Sequence, residues 1–149
     1  MIFVVQARMN SKRVPGKHML KVRNMPILQF LIMRLKLVKK INKIIIATTD
    51  TEKDQVLVNL AKKNKVNYYR GSEKNVMDRV LKASNKYKTD IIVGITADCP
   101  LVDPNLVSQC IDIFLNNNCD YLNNLVFPGF PQGMNCQVYK SSILKKSYK

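Results

Sequence analysis

The fold class of this chain is decided by residues 2–18, which read Ile-Phe-Val-Val-Gln-Ala-Arg-Met-Asn-Ser-Lys-Arg-Val-Pro-Gly-Lys-His. Residues 2–7 form a short, largely apolar run, which predicts a strand buried within a sheet. Residues 8–18 are polar and basic and contain Pro15 and Gly16, so they predict a loop directly after that strand. Because ligands of open α/β sheets bind beyond the carboxyl ends of the strands, this loop is a candidate binding segment.

The following residues alternate between apolar runs and segments with apolar residues at helical spacing. Pro26 is predicted to be the first residue of its helix, and Asp103 is a candidate N-cap. The alternation implies right-handed crossovers and predicts a three-layer, Rossmann-like α/β fold with a mostly parallel sheet. Strands are predicted at residues 43–48, 66–69 and 90–95, and helices at residues 26–38, 51–64, 76–87 and 104–115.

The carboxyl-terminal part of the chain is less regular. Residues 116–133 are rich in Asn, Pro and Gly, which predicts a loop around a short edge strand. Residues 141–149 have the pattern of a helix that is cut off near its start. With 149 residues, the chain is predicted to form a single domain over residues 1–149, truncated at its carboxyl end.

Composition excludes several classes of protein. Hydrophobic residues make up 46% of the chain, which is too many for a disordered polypeptide. No apolar run approaches the roughly 20 residues that cross a bilayer, and residues 1–5 are too short for a signal peptide. We therefore expect a cytoplasmic protein without a membrane partner. The four cysteines match no zinc spacing, and we expect free thiols.

The net charge of +15 allows two interpretations. It could mark a nucleic-acid-binding module, because a basic surface attracts phosphate backbones. However, the basic residues are spread over several segments without interleaved aromatic side chains, so we expect no nucleic-acid partner. Most of them lie in the first half of the chain, which suits a small polyanion such as a nucleoside triphosphate.

The loop after the first strand carries Arg8, Lys12, Arg13 and Lys17 within ten positions. A triphosphate needs such cations, because its charge must be neutralised and oriented by side chains and backbone N–H groups. Asn10 and Gly16 are residues that accept a positive φ and could let the backbone fold around phosphates. The loop is neither a Walker A motif nor G-x-G-x-x-G, and a solvated basic loop is the alternative.

Three further residues are candidates for the same site. Asp98 follows a buried strand, and one carboxylate combined with substrate phosphates is a common way to hold Mg²⁺; the alternative is a turn residue before Pro100. Arg70 ends a short strand and could reach a nucleotide or lie at the surface. His18 is the single histidine and is interpreted as structural, because nothing in the sequence suggests a catalytic partner for it.

Four motifs, in this order along the chain, resemble one family. They are Gln-Ala-Arg-Met-Asn-Ser-Lys-Arg-Val-Pro-Gly-Lys (6–17), Ala-Thr-Thr-Asp (47–50), the segment from Tyr69 to Arg79 that contains Arg-Gly-Ser-Glu and Val-Met-Asp-Arg, and Ile-Thr-Ala-Asp-Cys-Pro-Leu-Val-Asp-Pro (95–104). The chain resembles the sugar-acid cytidylyltransferases, which include the CMP-sialic acid and CMP-KDO synthetases. The strongest resemblance is to the spore coat polysaccharide biosynthesis protein F group.

This resemblance implies a nucleotide-diphospho-sugar transferase fold and a nucleotidyltransferase that moves CMP from CTP to a sugar or sugar acid, releasing pyrophosphate, in surface polysaccharide synthesis. It implies Mg²⁺ held by Asp98 and allows a homodimer. It assigns no general base. The implied nucleotide-binding residues, of which Arg8 and Lys17 act as the catalytic cations, are Ala7, Arg8, Ser11, Lys12, Arg13, Lys17, Arg70 and Thr96.

The sequence departs from the family in two ways. Family members run to roughly 200 residues or more, with a second metal-binding Asp in their carboxyl-terminal part. Where the family carries acids, this chain has amides at Gln132, Asn135 and Gln137. An amide takes up no proton and binds Mg²⁺ more weakly than a carboxylate, so a nucleotide-binding protein impaired in catalysis stays open as an alternative.

Overall fold

The computed structural model of the chain describes residues 1–125 and 129–148. These residues form eight strands and five α-helices. Apart from a short hairpin within residues 21–26, which was not predicted, their order agrees with the sequence prediction for the first two thirds of the chain. The strands are β1 (Ile2–Gln6), β2 (Lys21–Val22), β3 (Met25–Pro26), β4 (Ile44–Thr49), β5 (Asn67–Gly71), β6 (Ile91–Thr96), β7 (Tyr121–Asn123) and β8 (Gln137–Lys140). The helices are α1 (Ile27–Leu35), α2 (Gln55–Lys63), α3 (Val76–Lys86), α4 (Pro104–Asn116) and α5 (Ser141–Ser147).

Six strands form one sheet in the order β5-β4-β1-β6-β8-β7. The pairs β5–β4, β4–β1 and β1–β6 are parallel, whereas β8 runs antiparallel to both β6 and β7. The chain leaves β1 toward one side of the sheet and later returns to its other side as β6. This reversal of strand order creates a crevice at the carboxyl ends of β1 and β6.

Alternate residues of β1 face opposite layers of helices. Phe3 and Val5 belong to a buried cluster with side chains of α1, α2 and α4, whereas Ile2 and Val4 belong to a second cluster with Val80 of α3. The side chains of a strand point alternately to its two faces, so one buried strand contributes to two cores. The predicted three-layer α/β fold with a mostly parallel sheet is confirmed.

Several predicted boundaries shift. Pro26 is not the first helical residue, because it pairs with Lys21 in a two-stranded hairpin and α1 begins at the next residue. The predicted helix over 51–64 begins as a 3-10 turn at Glu52–Asp54 before α2. Asp103 is confirmed as an N-cap, since its side chain accepts a hydrogen bond from the backbone of Asn105 at 2.9 Å.

The edge strand predicted within 116–133 is β7. Residues 126–128 of the predicted loop and Lys149, within the segment predicted as the last helix, lie outside the described residues. All four cysteines are free thiols, as expected. In the described part of the chain, no helix has the length and apolar character that crossing a bilayer requires.

Candidate functional site

A cleft of about 340 Å³ lies at the carboxyl ends of β1 and β6. Gln6 and Thr96, the last residues of these two strands, are paired across the sheet. The cleft has the size of a small-ligand site, for which about 300–1,000 Å³ is usual. It brings together all the predicted site residues except Arg70: Ala7, Arg8, Ser11, Lys12, Arg13, Lys17, Thr96 and Asp98.

The loop over residues 8–17 folds back on itself to form one wall of this cleft. The backbone N–H groups of Ser11 and Gly16 both donate to the carbonyl oxygen of Met9, each at 3.0 Å. Gly16 has a φ of 69°, the conformation predicted for it. Asn10 lacks the positive φ, so that expectation is wrong; its side-chain amide donates instead to Glu73 at 2.9 Å.

The base of the loop is held by the buried carboxylate of Asp54. One of its oxygens accepts the backbone N–H of Met9 at 2.8 Å. The other accepts the hydroxyls of Thr48 and Thr49 and the backbone N–H of Thr49, at 2.6–2.9 Å. Burial raises the pKa of Asp54, but these hydrogen bonds outweigh burial and hold the pKa below its usual value. The loop is therefore fastened to the end of β4 by an ionised side chain.

Lys17 and Asp98 face each other inside the cleft. Lys17 Nζ lies 2.6 Å from Oδ1 and 2.7 Å from Oδ2 of Asp98, and the Asp98 side chain is about half exposed. His18 also lines the cleft, with Nδ1 3.9 Å from Asp98 Oδ1. Burial lowers the pKa of His18, which favours the neutral imidazole. A structural role for His18 agrees with its buried position.

Asp98 has the chemistry that a Mg²⁺ ion shared with a substrate requires. Mg²⁺ prefers oxygen ligands and is commonly bound by one or two carboxylates together with phosphate oxygens. The described residues contain no group of three His, Cys, Asp or Glu side chains that could hold a metal by themselves. The accessible carboxylate of Asp98, beside the cationic loop, fits an ion that arrives with a phosphate-bearing ligand.

Arg70 lies outside the cleft. Its guanidinium donates to the carbonyl oxygens of Thr49 at 3.2 Å and Thr51 at 2.8 Å, and to the side chain of Gln55 at 2.8 Å. These bonds tie the end of β5 to the turn after β4. Arg70 therefore stabilises a turn near the cleft and does not line the cleft.

Arg79 of α3 lines the cleft, although it was not among the residues predicted for the site. Its side chain is almost completely buried, with 2% of the residue exposed. Nη1 donates to the carbonyl oxygen of Ser72 at 2.5 Å. Burial, and then the positive charge of Arg8, lower the pKa of Arg79. The residue stands in the Val-Met-Asp-Arg motif, but a sequence motif alone does not show that an arginine is buried.

A second cavity, of about 260 Å³, adjoins the cleft and shares Gln6 and Val76 with it. Tyr121, Tyr139 and Gln137 form part of its wall. Gln137 is one of the three amides that replace family acids. The other two, Gln132 and Asn135, do not line either cavity.

Comparison with known proteins gives consistent matches. A sequence profile with the description "Cytidylyltransferase" matches residues 2–145. An uncharacterized protein of Methanocaldococcus jannaschii is 39% identical over 150 residues, covering 99% of this chain and 60% of that protein. A spore coat polysaccharide biosynthesis protein of Bacillus subtilis is 34% identical over 124 residues, covering 80% of this chain and 52% of that protein.

A solved structure agrees with the sequence matches. The structure of a cytidylyltransferase from Leptospira borgpetersenii superimposes with a TM-score of 0.93 at 36% sequence identity, covering 97% of this chain and 62% of that one. The chain thus spans between 52% and 62% of the length of these three proteins.

Proposed function

This chain belongs to the cytidylyltransferase family, and from that premise we propose that it binds CTP in the cleft and transfers CMP to a sugar or sugar acid. The main observation behind the proposal is that cationic side chains of the 8–17 loop and a carboxylate line the same cleft. Arg8, Lys12, Arg13 and Lys17 line it together with Asp98, at the crevice where α/β sheets bind nucleotides.

The loop cations would bind the triphosphate. Arg8, Lys12 and Arg13 are exposed side chains on a loop whose backbone is fixed by Gly16 and by Asp54. Their charges neutralise the phosphates, and their fixed base keeps the phosphates in one orientation. Ser11 adds a hydroxyl donor at the same wall of the cleft.

Lys17 and Asp98 would separate when the nucleotide binds. In the free protein each side chain neutralises the other at 2.6 Å. A triphosphate offers Lys17 a new anionic partner, and the freed carboxylate of Asp98 would hold Mg²⁺ together with phosphate oxygens. The ion, when bound, supplies positive charge that stabilises the transferring phosphate group. Lys17 and Asp98 would therefore each have an oppositely charged partner both before and after binding.

The reaction proposed is the displacement of pyrophosphate from the α-phosphorus of CTP. A hydroxyl oxygen of the acceptor forms a bond to the α-phosphorus and loses its proton to water, while the bond from the α-phosphorus to the oxygen that bridges to the β-phosphate breaks. The electron pair leaves with pyrophosphate. Arg8 and Lys17 would stabilise the charge on the transferring and leaving groups, because such transfers depend mainly on positioning and electrostatics.

The acceptor and the biological role are proposed on the basis of likeness. The motifs resemble those of enzymes that act on sugar acids, and a relative of 34% identity is named for spore coat polysaccharide biosynthesis. We therefore propose a sugar or sugar-acid acceptor and a role in surface polysaccharide synthesis.

The experiment that tests this function measures pyrophosphate release from CTP and Mg²⁺ with a panel of sugars and sugar acids. We expect release with at least one acceptor, and we expect Lys17→Ala to lower the rate at least about 100-fold, the scale of losing one charge-stabilising group in a transition state. Lys21→Ala, an exposed lysine outside this cleft, is the matched control and should keep the wild-type rate. Equal rates for both variants would contradict the roles assigned here.

A second candidate function is nucleotide binding without turnover. The amide of Gln137 beside the cleft favours it, because an amide cannot act as a base. In that case CTP would bind and Lys17→Ala would weaken binding, but no acceptor would yield pyrophosphate.

A further inference from the structure

A groove separate from the cleft lies between the hairpin of β2 and β3 and the helix α2. It has a volume of about 440 Å³, which is within the usual size range of small-ligand sites. The hairpin, Gln29 of α1 and several residues of α2 line it. None of its lining residues also lines the cleft, so a ligand in this groove would be a second one.

The floor of the groove is apolar. Met19 and Val56 pack against the main core of the molecule, Leu60 belongs to that core, and Pro26 is buried. Met25 adds a second methionine to the lining. Methionine side chains are unbranched and polarizable, so they adapt to apolar ligands of different shapes. The floor therefore suits the apolar body of a ligand.

Three exposed cations line the same groove: Lys21, Arg23 and Lys63. No Asp or Glu is among its lining residues, and none of the ion pairs between described residues includes these three cations. Acids are also absent from the whole of residues 1–49. Like charges that converge without a counter-charge repel one another, and a bound anion would relieve this repulsion.

The backbone of Arg23 has an unusual conformation. Its φ of 47° lies in the left-handed region, as does the φ of 64° of Asn24 in the same turn. Asparagine enters this region more readily than most residues, whereas arginine has no such preference. Residues in sparsely populated backbone conformations cluster at ligand-binding sites. The conformation of Arg23 therefore supports a binding role for its side chain.

We propose that this groove binds a phosphate monoester that carries an apolar body. Such a phosphate has a charge of about −1.5 to −2 at pH 7, which suits three cations better than the single charge of a carboxylate. The planar guanidinium of Arg23 can donate to two phosphate oxygens at once, and the ammonium groups of Lys21 and Lys63 add point charges. The apolar body lies on the floor, out of water.

The ligand is a soluble molecule rather than a lipid within a membrane. Proteins that lie on membranes insert apolar side chains that protrude from their surface. Here the apolar side chains form the floor of a concave groove, with the cations beside them. A small molecule can enter such a groove, whereas a flat bilayer surface does not reach its floor.

The test is calorimetric titration of the wild-type protein with octyl phosphate below its micellar concentration. Inorganic phosphate and octyl glucoside serve as comparison ligands, because the first lacks the apolar chain and the second lacks the charge. We expect octyl phosphate to bind at least about 10-fold more tightly than either, since chain and phosphate both contribute to its affinity.

The variant Arg23→Gly locates the ligand in the groove. Glycine accepts a positive φ, so this change removes the cation without straining the turn. We expect octyl phosphate to bind about 5-fold more weakly, the scale of one exposed charge pair. Lys88→Gly is the matched control, because Lys88 is an exposed cation with a φ of 50° that does not line the groove. It should keep the wild-type affinity.

A second pair of variants tests the other side of the groove. Lys63→Ala should also weaken octyl phosphate binding by about 5-fold. Its control is Lys62→Ala, one position earlier on α2. Lys62 does not line the groove, and its Nζ lies 5.7 Å from the centre of the Tyr68 ring. The two variants remove the same charge from the same helix, so only the position of the side chain distinguishes them.

Several outcomes would overturn the proposal. One is octyl phosphate that binds no more tightly than both comparison ligands. Another is an equal loss in Arg23→Gly and Lys88→Gly, because the general charge of the protein would then explain binding. A loss in Lys17→Ala with none in Arg23→Gly would place octyl phosphate in the cleft.

A vesicle experiment tests the source of the ligand. Cosedimentation with vesicles of phosphatidylcholine and phosphatidic acid that Arg23→Gly abolishes, without binding of octyl phosphate, would assign the groove to a membrane and overturn a soluble ligand. We expect no such cosedimentation. The proposal is independent of the proposed function, because failure to bind CTP would concern the cleft and leave the octyl phosphate result unchanged.

Discussion

Lys17 and Asp98 neutralise each other's charge in the free cleft. The ammonium group lies within hydrogen-bond distance of both carboxylate oxygens, and neither side chain is deeply buried. An exposed pair of this kind contributes little to stability, with about 0–1 kcal/mol as the usual range. Breaking this ion pair therefore requires little free energy. This suits the proposed exchange, in which Lys17 binds a phosphate and Asp98 binds a metal ion.

The variant Asp98→Asn tests this exchange, because it should strengthen CTP binding without Mg²⁺ and weaken CTP binding with Mg²⁺. Without a divalent cation, we expect CTP to bind about 2- to 5-fold more tightly than to the wild-type protein, since Lys17 is released and a negative charge is removed. With Mg²⁺, we expect weaker binding than in the wild-type protein, because an amide is a poorer ligand for the ion. Calorimetric titration in EDTA and in Mg²⁺ measures both.

Asp90→Asn is the control for this experiment. Asp90 is an exposed residue just before β6, at the opposite end of that strand from Asp98. It should behave as the wild-type protein under both conditions. The same direction of change for Asp98→Asn with and without Mg²⁺ would refute the exchange.

Asp54 is a structural anchor of the loop, and its removal should destabilise the fold. An Asn side chain at this position keeps one acceptor oxygen, but its NH₂ group would face donors that now bind Asp54, including the backbone N–H of Thr49. Two donors that face each other cannot form a hydrogen bond. We expect Asp54→Asn to lower the free energy of unfolding by about 1–3 kcal/mol at pH 7, measured by urea denaturation. Asp50→Asn, an exposed neighbour, should change it little.

The effect of Asp54→Asn should also depend on pH. The pKa of Asp54 is lower in the folded chain than its usual value of 3.8, so the carboxylate stabilises the fold above that value. This contribution is lost as the pH falls below 3.8 through the folded-state pKa. The difference between wild type and Asp54→Asn should therefore shrink in acid. A difference that stays constant from pH 7 to pH 3 would show that ionised Asp54 is not the anchor.

At the scale of secondary structure, the start of α3 places Arg79 at the cleft. The side-chain oxygen of Asn75 accepts the backbone N–H of Asp78 at 2.9 Å, which makes Asn75 the N-cap of this helix. Ser72 Oγ in turn accepts the backbone N–H of Asn75 at 3.1 Å. Ser72 is thereby joined to the first turn of α3 through Asn75, and its carbonyl oxygen accepts the hydrogen bond from Arg79 Nη1.

Replacing this cap should weaken both the helix and the binding of nucleotide. We expect Asn75→Ala to cost about 1 kcal/mol of stability, the usual value for loss of an N-cap, together with weaker CTP binding. Asn85→Ala, at an exposed position of the same helix, should be neutral or slightly stabilising because alanine favours helices. Urea denaturation and titration with CTP measure the two effects. Equal stability of both variants would contradict the capping role.

The elements that the sequence predicts well are those with a clear period or a long apolar run. The buried strands β1, β4 and β6 are such runs, and α4 begins at the predicted cap and proline. The hairpin of β2 and β3 was missed because its turn uses Arg23 and Asn24, which have φ values of 47° and 64°. The glycine that usually marks such a turn is absent.

The carboxyl-terminal strand and part of the site were harder to predict. β8 has only four residues and pairs antiparallel with β6. It therefore does not belong to the alternation of strands and helices from which the other strands were predicted. The cations of the 8–17 loop were predictable because they lie within ten positions directly after a strand. The location of Arg79 depends on how α3 packs against the sheet, which a single sequence does not show. Arg70 has the same side chain but is bonded outside the cleft.

At the scale of the whole molecule, part of the net charge of +15 lies in the cleft. The cleft gathers Arg8, Lys12, Arg13, Lys17 and Arg79 around Asp98 as the one acidic side chain in its lining. A cleft lined by one sign of charge raises the local concentration of an oppositely charged ligand. A defined cleft of this size also fits a small polyanion better than an extended nucleic acid, which would contact a surface.

The central claim is that this cleft is a selective site for CTP and Mg²⁺. The most direct test is calorimetric titration of the wild-type protein with CTP, UTP, ATP and GTP, each with and without Mg²⁺. We predict saturable binding that is tightest for CTP, at least about 10-fold over the other three, and strengthened by Mg²⁺, on the scale of one or more hydrogen bonds to a charged group. Equal binding of all four nucleotides, or no binding of any, would contradict the account.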